Sequence, residues 1–113
     1  MTMRLRMMDL NVDQMNALPP LDSQPPKVQK LIIKVARRLV LIEDAHERGG
    51  YVREFMGLVR DQYMADPTLL PECNPCDPPA LLAEANTRAW FLASLAMREA
   101  GDLNERLARA GAA

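Results

Sequence analysis

The stretch KVQKLIIKVARRLVLI, residues 27–42, decides the fold class of this chain. Its apolar residues recur at the spacing of an α-helix rather than with the alternation of a strand. One face of that helix holds Val28, Leu31, Ile32, Val35, Leu39 and Ile42, and its flank holds Ile33, Ala36 and Val40. Because a helix that is apolar over more than half of its circumference must pack on two sides, we expect it to be central.

The bounds of this first helix are predicted from proline and glycine. Pro25 and Pro26 suit its first turn, since proline lacks an N–H that this turn leaves unpaired. The pair Gly49-Gly50 predicts its end, because glycine readily takes the left-handed conformation found at helix C-termini. The helix is therefore expected to reach Arg48.

A second helix is predicted from about Tyr51 to Ala65, with Asp66-Pro67 ending it. The short connection to the first helix favours an antiparallel pair. Residues 66–79 contain five prolines and are predicted to form a stiff loop.

A third helix is predicted to start after Asp77 and to run to Ala100, where Gly101 supplies a stop. The tetrad of residues 102–105, Asp-Leu-Asn-Glu, resembles a capping box. It predicts a short terminal helix that ends near Ala110.

Composition agrees with an all-α fold. Aromatic residues make up 4% of the 113 residues, whereas Leu, Ala and Met are plentiful, which suits helices better than sheets. The length allows one hydrophobic core. We therefore expect a small three-to-four-helix bundle in residues 27–113, preceded by an extended, proline-containing N-terminal arm in residues 1–26. This arm either docks on another surface or is a disordered terminus.

The N-terminus lacks the pattern of a targeting peptide. Arg4 and Arg6 are not followed by a continuous apolar run, and acids appear at Asp9 and Asp13. No later run avoids charge for the roughly 20 residues that a membrane span requires. The sequence predicts a cytoplasmic protein without a membrane partner and with reduced cysteines.

Charge is unevenly distributed along the chain. Residues 1–42 hold seven bases and three acids, whereas the remaining residues hold seven bases and twelve acids. Five of the bases form a basic strip on one side of the first helix: Lys27, Lys30, Lys34, Arg37 and Arg38. This strip has the spacing to follow a nucleic-acid backbone, but it lacks interleaved aromatics and is interrupted by Leu41. A solvated helix face is the simpler interpretation.

The third helix indicates a protein partner or a homo-oligomer. Its stripe of alanines allows another helix to approach closely. Four large apolar residues lie on its other faces, more than a three-helix core covers: Trp90, Phe91, Leu95 and Met97. Phe91 and Leu95 are expected to project outward, and all four are predicted to bind a partner.

The two cysteines lie in one turn, Cys73-Asn74-Pro75-Cys76. Such a pair supplies two of the four ligands of a zinc site, and His46 is the one histidine that could add a third. A redox dithiol is the other chemical interpretation, although no strand–helix context supports it. The residues favour a structural turn in which both thiols pack as small apolar groups, without a cofactor.

Glu43 and His46 have the Glu-x-x-His spacing of di-iron helical bundles. A second such motif is missing from the chain. His46 is instead expected to cap the last turn of the first helix, where histidine is favoured by the helix dipole.

No phosphate-binding loop and no nucleophile with a neighbouring base can be identified, so we expect no enzymatic activity. The sequence predicts a helical protein-interaction module: an adaptor, an assembly chaperone or a small subunit of a larger complex. One alternative is a small ribonucleoprotein subunit that binds the nucleic-acid backbone through the basic strip. The other is a zinc-binding or thiol-redox protein that uses Cys73 and Cys76.

Overall fold

A computed structural model describes residues 17–112. Three α-helices make up this part of the chain: α1 (Pro26–Leu41), α2 (Ala45–Ala65) and α3 (Pro78–Ala112). Two short 3-10 helices, Leu21–Ser23 and Pro67–Leu69, precede α1 and follow α2. The described residues contain no strand, which confirms the predicted all-α class. The first sixteen residues of the predicted N-terminal arm lie outside the described residues.

The first helix ends at Leu41, so the predicted end at Arg48 is wrong. Ile42 is extended, and the carboxylate of Asp44 accepts a hydrogen bond from the backbone N–H of Glu47 at 2.9 Å. This cap starts α2, which then passes through Gly49-Gly50 without a positive φ. The capping carboxylate, three residues before a glutamate, is a stronger boundary signal here than the two glycines.

The long helix α3 is central, and the expectation that α1 is central is wrong. α1 and α2 each approach α3 closely along their lengths, and they approach each other closely at few points. Residues 92–96 are all buried, and five consecutive residues span more than one full turn of a helix. Small side chains in α3, including Ala89 and Ala93, let both neighbours pack closely.

The main core joins all three helices. Its buried side chains are Ile32, Val35, Leu39, Val52, Phe55, Val59, Ala89, Leu92, Ala93, Leu95 and Ala96. The buried hydroxyl of Ser94 donates a hydrogen bond to the carbonyl oxygen of Trp90 at 2.8 Å, so it is satisfied within the helix. A smaller core of Leu70, Leu81 and Ala85 lies beneath the proline-rich loop.

The predicted stop at Gly101 is wrong, because α3 continues to Ala112. A Cβ at Gly101 would meet no atom within 4 Å, so the glycine is neither a close-packing site nor a turn. Residues 102–105 are helix interior, and the predicted fourth helix is absent from the described chain. Glycine weakens a helix by about 1 kcal/mol but does not end it unless a competing conformation is favoured.

Residues 17–25 pack against the helical domain. Leu18 and Leu21 contact the main core, and Arg98 of α3 donates hydrogen bonds to the carbonyl oxygens of Leu18 and Pro19 at 3.0 and 2.8 Å. The described end of the arm is therefore held by its own domain.

Candidate interaction surfaces

The basic strip lies on α1 and faces solvent, as expected. Lys27, Lys30, Lys34, Arg37 and Arg38 are all exposed. Within residues 17–112, no carboxylate lies within 4 Å of any of these five cations. Their binding role stays a prediction.

The spacing within the strip opposes helix formation. Lys30, Lys34 and Arg38 are four residues apart, and like charges at this spacing destabilise a helix by about 0.2–0.5 kcal/mol per pair. The first turn of α1 carries Lys27 and no acid, although the positive end of the helix dipole favours an acid there. The strip therefore adds nothing favourable to the folding of α1, and an anionic group docked on it would relieve the repulsion.

A hollow beside the strip has an apolar floor. It is lined by four cations of the strip together with Ile33, Leu41 and Tyr51. Leu41 is 73% exposed, and Tyr51 reaches the hollow from α2. The sequence does not reveal that Tyr51 borders this hollow, because Tyr51 lies on α2 and the strip lies on α1. The apolar Leu41, which interrupts the strip, was the one sign in the sequence of an apolar surface here.

Next to this hollow, α2 presents acids. Glu47 and Glu54 are exposed and share a helix face with Tyr51 and Leu58, at spacings of three and four residues. We call these four residues the acidic stripe. Leu58 is 64% exposed. Asp61 lies one turn further along, with its carboxylate 3.1 Å from the guanidinium of Arg60.

A second hollow joins the strip to the stripe. Arg38, Leu41 and Ile42 line one side, and Glu47, Gly50, Tyr51 and Glu54 line the other. Although Arg38, Glu47 and Glu54 border the same hollow, no ion pair within 4 Å joins them in the described chain. One continuous face thus carries exposed cations on α1, exposed acids on α2, and Leu41 with Tyr51 between them.

The predicted docking residues of α3 divide into three kinds. Leu95 has no exposed surface, so the expectation that it faces outward is wrong. Phe91 and Met97 are half-buried against the main core. Trp90 is 40% exposed. A helical wheel places Leu95 outward only if α3 packs on one side. Residues 92–96 of α3 are instead buried on all sides.

Trp90 and Met97 lie on one side of α3, separated by the turn that holds the buried Ser94. Met97 lies seven residues, or two turns, beyond Trp90 and therefore on the same face. There it lines a hollow with Leu39, Val40, Arg48, Ala100, Gly101 and Asn104. The Trp90 surface, consisting of Trp90, Met97 and this hollow, shares no lining residue with the two hollows on the α1 and α2 face.

The cysteine turn lies beyond the end of α2. Cys73 is half-buried against the smaller core and Cys76 is exposed, and both are free thiols. The carboxamide oxygen of Asn74 accepts a hydrogen bond from the backbone N–H of Cys76 at 2.9 Å, which shapes the turn. Desolvation, followed by the nearby charges of Glu72 and Glu84, raises the pKa of the Cys73 thiol.

Arg88 of α3 ties this loop to the helix. Its guanidinium forms ion pairs with Glu72 of the loop and with Glu84 one turn away, and the hydrogen bond that it donates to Glu84 is the main cause that raises the pKa of Arg88. The loop is therefore anchored at the residue before Cys73.

His46 is not near the cysteines. It lies in the first turn of α2, and Ala65, nineteen positions further on, is about 28 Å away along the helix. The structure therefore does not bring Cys73, Cys76 and His46 of one chain together. Within residues 17–112, no three His, Cys, Asp or Glu side chains form a group that could hold a metal ion.

One further expectation for His46 is wrong. It does not cap the C-terminus of α1, because α1 ends at Leu41. Glu43 lies in the connection between α1 and α2, so Glu43 and His46 are not a Glu-x-x-His pair on one helix.

Among the described residues, no helix combines the length and the apolar character needed to cross a membrane. Comparisons with protein-family models, with curated proteins and with solved structures found no match to this chain.

Proposed function

We propose that this chain is a non-enzymatic helical protein-interaction module that acts as an adaptor, an assembly chaperone or a small subunit of a larger complex. The observation that carries the proposal is the Trp90 surface of α3. Trp90 is 40% exposed although the core beneath it is complete, with Ala89, Leu92 and Ala93 all buried. Its exposure therefore does not reflect a defect in the fold.

The chemistry of this surface fits a protein partner. Tryptophan and methionine are enriched at protein interfaces, and a tryptophan anchor commonly dominates the binding energy. Met97 and the hollow that it lines supply a recess two helical turns further along α3. Arg48 borders the recess, with its guanidinium already engaged with the carbonyl oxygens of Ile42 and Glu43 at 2.8 and 3.1 Å. The recess thus combines an apolar wall with a positive edge.

The test compares proteins that co-purify with the tagged wild-type chain and with Trp90→Ser. The control is Leu107→Ser, which removes a similarly exposed leucine near the end of the same helix. A partner that is lost with Trp90→Ser and retained with Leu107→Ser supports the proposal, provided that both variants keep wild-type helicity by circular dichroism. Identical partner sets for all three proteins would refute it.

The exposed basic strip supports a second candidate function, binding to a nucleic-acid backbone. If this function is correct, affinity for DNA or RNA falls steeply with salt, and Lys30→Glu with Lys34→Glu weakens binding to all sequences alike. The control reverses one exposed base at the C-terminal end of α3, Arg109→Glu, which lines no hollow with the strip. No binding of the wild-type chain at low salt would exclude this function. The apolar floor beside the strip favours a protein partner, because a charged phosphate backbone offers no apolar surface against which Leu41 could be buried.

A further inference from the structure

The structure points to a second copy of this chain as the occupant of the face that α1 and α2 share. We propose a two-fold symmetric dimer in which the basic strip of each copy lies against the acidic stripe of the other. The surface is separate from the Trp90 surface, so this inference goes beyond the proposed function.

The first support is charge of both signs on one face. Lys34 and Arg38 lie on the α1 side and Glu47 and Glu54 on the α2 side, with Leu41 at the boundary. In the described chain these charges form no ion pair with one another within 4 Å. The face therefore carries a complete set of complementary charges that the single copy leaves unused.

The second support is symmetry. A two-fold axis that runs along the boundary between the two helices turns the basic half of one copy onto the acidic half of the other. Leu41 and Tyr51, which line both hollows, then meet their counterparts near the axis. Such an isologous contact uses each half once per copy and closes after two copies, so it predicts dimers rather than filaments.

The third support is the apolar part of the face. Leu41 and Leu58 are 73% and 64% exposed, the two largest exposures among the large apolar side chains described. Burial of these two leucines in the dimer contact supplies non-directional attraction between the copies. The charged rows set the register of the contact and the choice of partner. Docking also places carboxylates against the lysines and arginines of α1, whose mutual repulsion the single chain leaves uncompensated.

The acids distinguish a second copy from a polyanion. A nucleic-acid backbone seated on the basic strip would meet Glu47 and Glu54 across the adjoining hollow. A copy of the same chain instead places its own cations over those acids. The neighbouring acids therefore favour self-association.

Charge reversal tests the pairing directly. The first variant, Lys34→Glu with Arg38→Glu, puts acids into the row of α1 that is proposed to face the acidic stripe. The second variant, Glu47→Lys with Glu54→Lys, puts cations into the acidic stripe. We expect the wild-type chain to dimerise at low salt, and each variant alone to dimerise at least about tenfold more weakly. An equimolar mixture of the two variants should restore a dimer, because every row then faces its opposite. The measurement is native mass and sedimentation velocity across concentration and salt.

Matched controls reverse charges on the far end of α3. Asp102→Lys with Glu105→Lys raises the net charge as much as the second variant does, and Arg109→Glu lowers it by half as much as the first variant does. Because these residues line none of the hollows of the proposed face, both controls should leave the dimer unchanged. Trp90→Ser, the test of the proposed partner surface, should also leave it unchanged, so the two proposals fail separately. Circular dichroism verifies that each variant folds. Should a charge variant unfold, Leu41→Ser provides the same test, since it removes the apolar anchor at the axis.

Three results would overturn the inference. One is a wild-type chain that stays monomeric at every concentration at low salt. Another is a mixture of two folded variants that forms no dimer although the wild type does. The third is binding of a DNA oligonucleotide to the monomeric wild type that disappears in the variant Lys34→Glu with Arg38→Glu. That result would show that the strip binds nucleic acid.

Discussion

The carboxylate of Asp44 accepts a hydrogen bond from the backbone N–H of Glu47 at 2.9 Å, and this contact separates α1 from α2. It satisfies one of the N–H groups that the first turn of a helix leaves unpaired. It also turns the chain at Ile42 so that both helices can pack on α3. Without this cap, the sequence on either side of residues 42–44 would permit one continuous helix.

Asp44→Ala is therefore expected to lower the free energy of unfolding by about 1 kcal/mol, within the range of about 0.5–2 kcal/mol for N-cap losses. Urea titration monitored by circular dichroism measures the change. Glu43→Ala is the control, because its side chain is exposed and makes no cap. Equal effects of the two substitutions would contradict the role of the cap.

The all-α class and the part of α2 from Tyr51 onward could be predicted from the sequence because the signals there are local. Val52, Phe55 and Val59, which are buried, recur at helical spacing along the chain, and Asp66-Pro67 predicted the end at Ala65. Likewise Asp77, whose carboxylate accepts a hydrogen bond from the backbone N–H of Ala80 at 3.3 Å, was the predicted start of α3.

The errors concern non-local information. A helical wheel shows which faces are apolar but not how many neighbours the helix has, so α1 was placed at the centre and Leu95 at the surface. Glycine shows where a left-handed residue is tolerated, but whether the helix stops there depends on the conformation that the next residues favour. The joint face of α1 and α2 was missed because Leu41 and Tyr51 meet only in the folded chain.

Arg98→Met is expected to loosen residues 17–25. The guanidinium of Arg98 donates hydrogen bonds to the carbonyl oxygens of Leu18 and Pro19, and bonds to charged groups contribute about 1.5–3 kcal/mol each where partly buried. Hydrogen exchange should become faster in residues 17–25 while the centre of α3 keeps its protection. Arg109→Met, which removes an exposed arginine, should leave both regions unchanged.

Leu95→Ala is expected to lower the free energy of unfolding by about 2–5 kcal/mol, since Leu95 is completely buried and its truncation leaves a cavity. Trp90→Ala removes a larger side chain that is partly exposed, so its effect on stability should be smaller. Chemical denaturation of both variants checks the order. A Leu95→Ala protein as stable as the wild type would place Leu95 at the surface after all.

Gly101→Ala distinguishes a continuous α3 from a helix that stops at this residue. In a helix interior, alanine is favoured over glycine by up to about 1 kcal/mol, and a Cβ here meets no atom within 4 Å. We therefore expect a higher melting temperature. At a left-handed helix stop the same substitution would destabilise the protein, so a lower melting temperature would restore the predicted break.

The last prediction concerns the cysteine turn. Because desolvation and the neighbouring carboxylates raise the pKa of Cys73, its thiolate is scarce at neutral pH. In Cys76→Ser, alkylation of Cys73 should therefore be slower than that of a free thiol, and it should keep accelerating above pH 9, where a thiol with the ordinary pKa of 9.0 begins to level off. Cys73→Ser, which leaves the exposed Cys76 alone, is the matched comparison and should be alkylated faster at pH 7. The folded state favours the protonated Cys73 thiol. Its contribution to stability is therefore present below the pKa of this thiol in the unfolded chain, and it is lost as pH rises through the pKa of the thiol in the folded protein. Faster alkylation of Cys73 than of Cys76 at pH 7 would contradict the structural role and support a reactive dithiol instead.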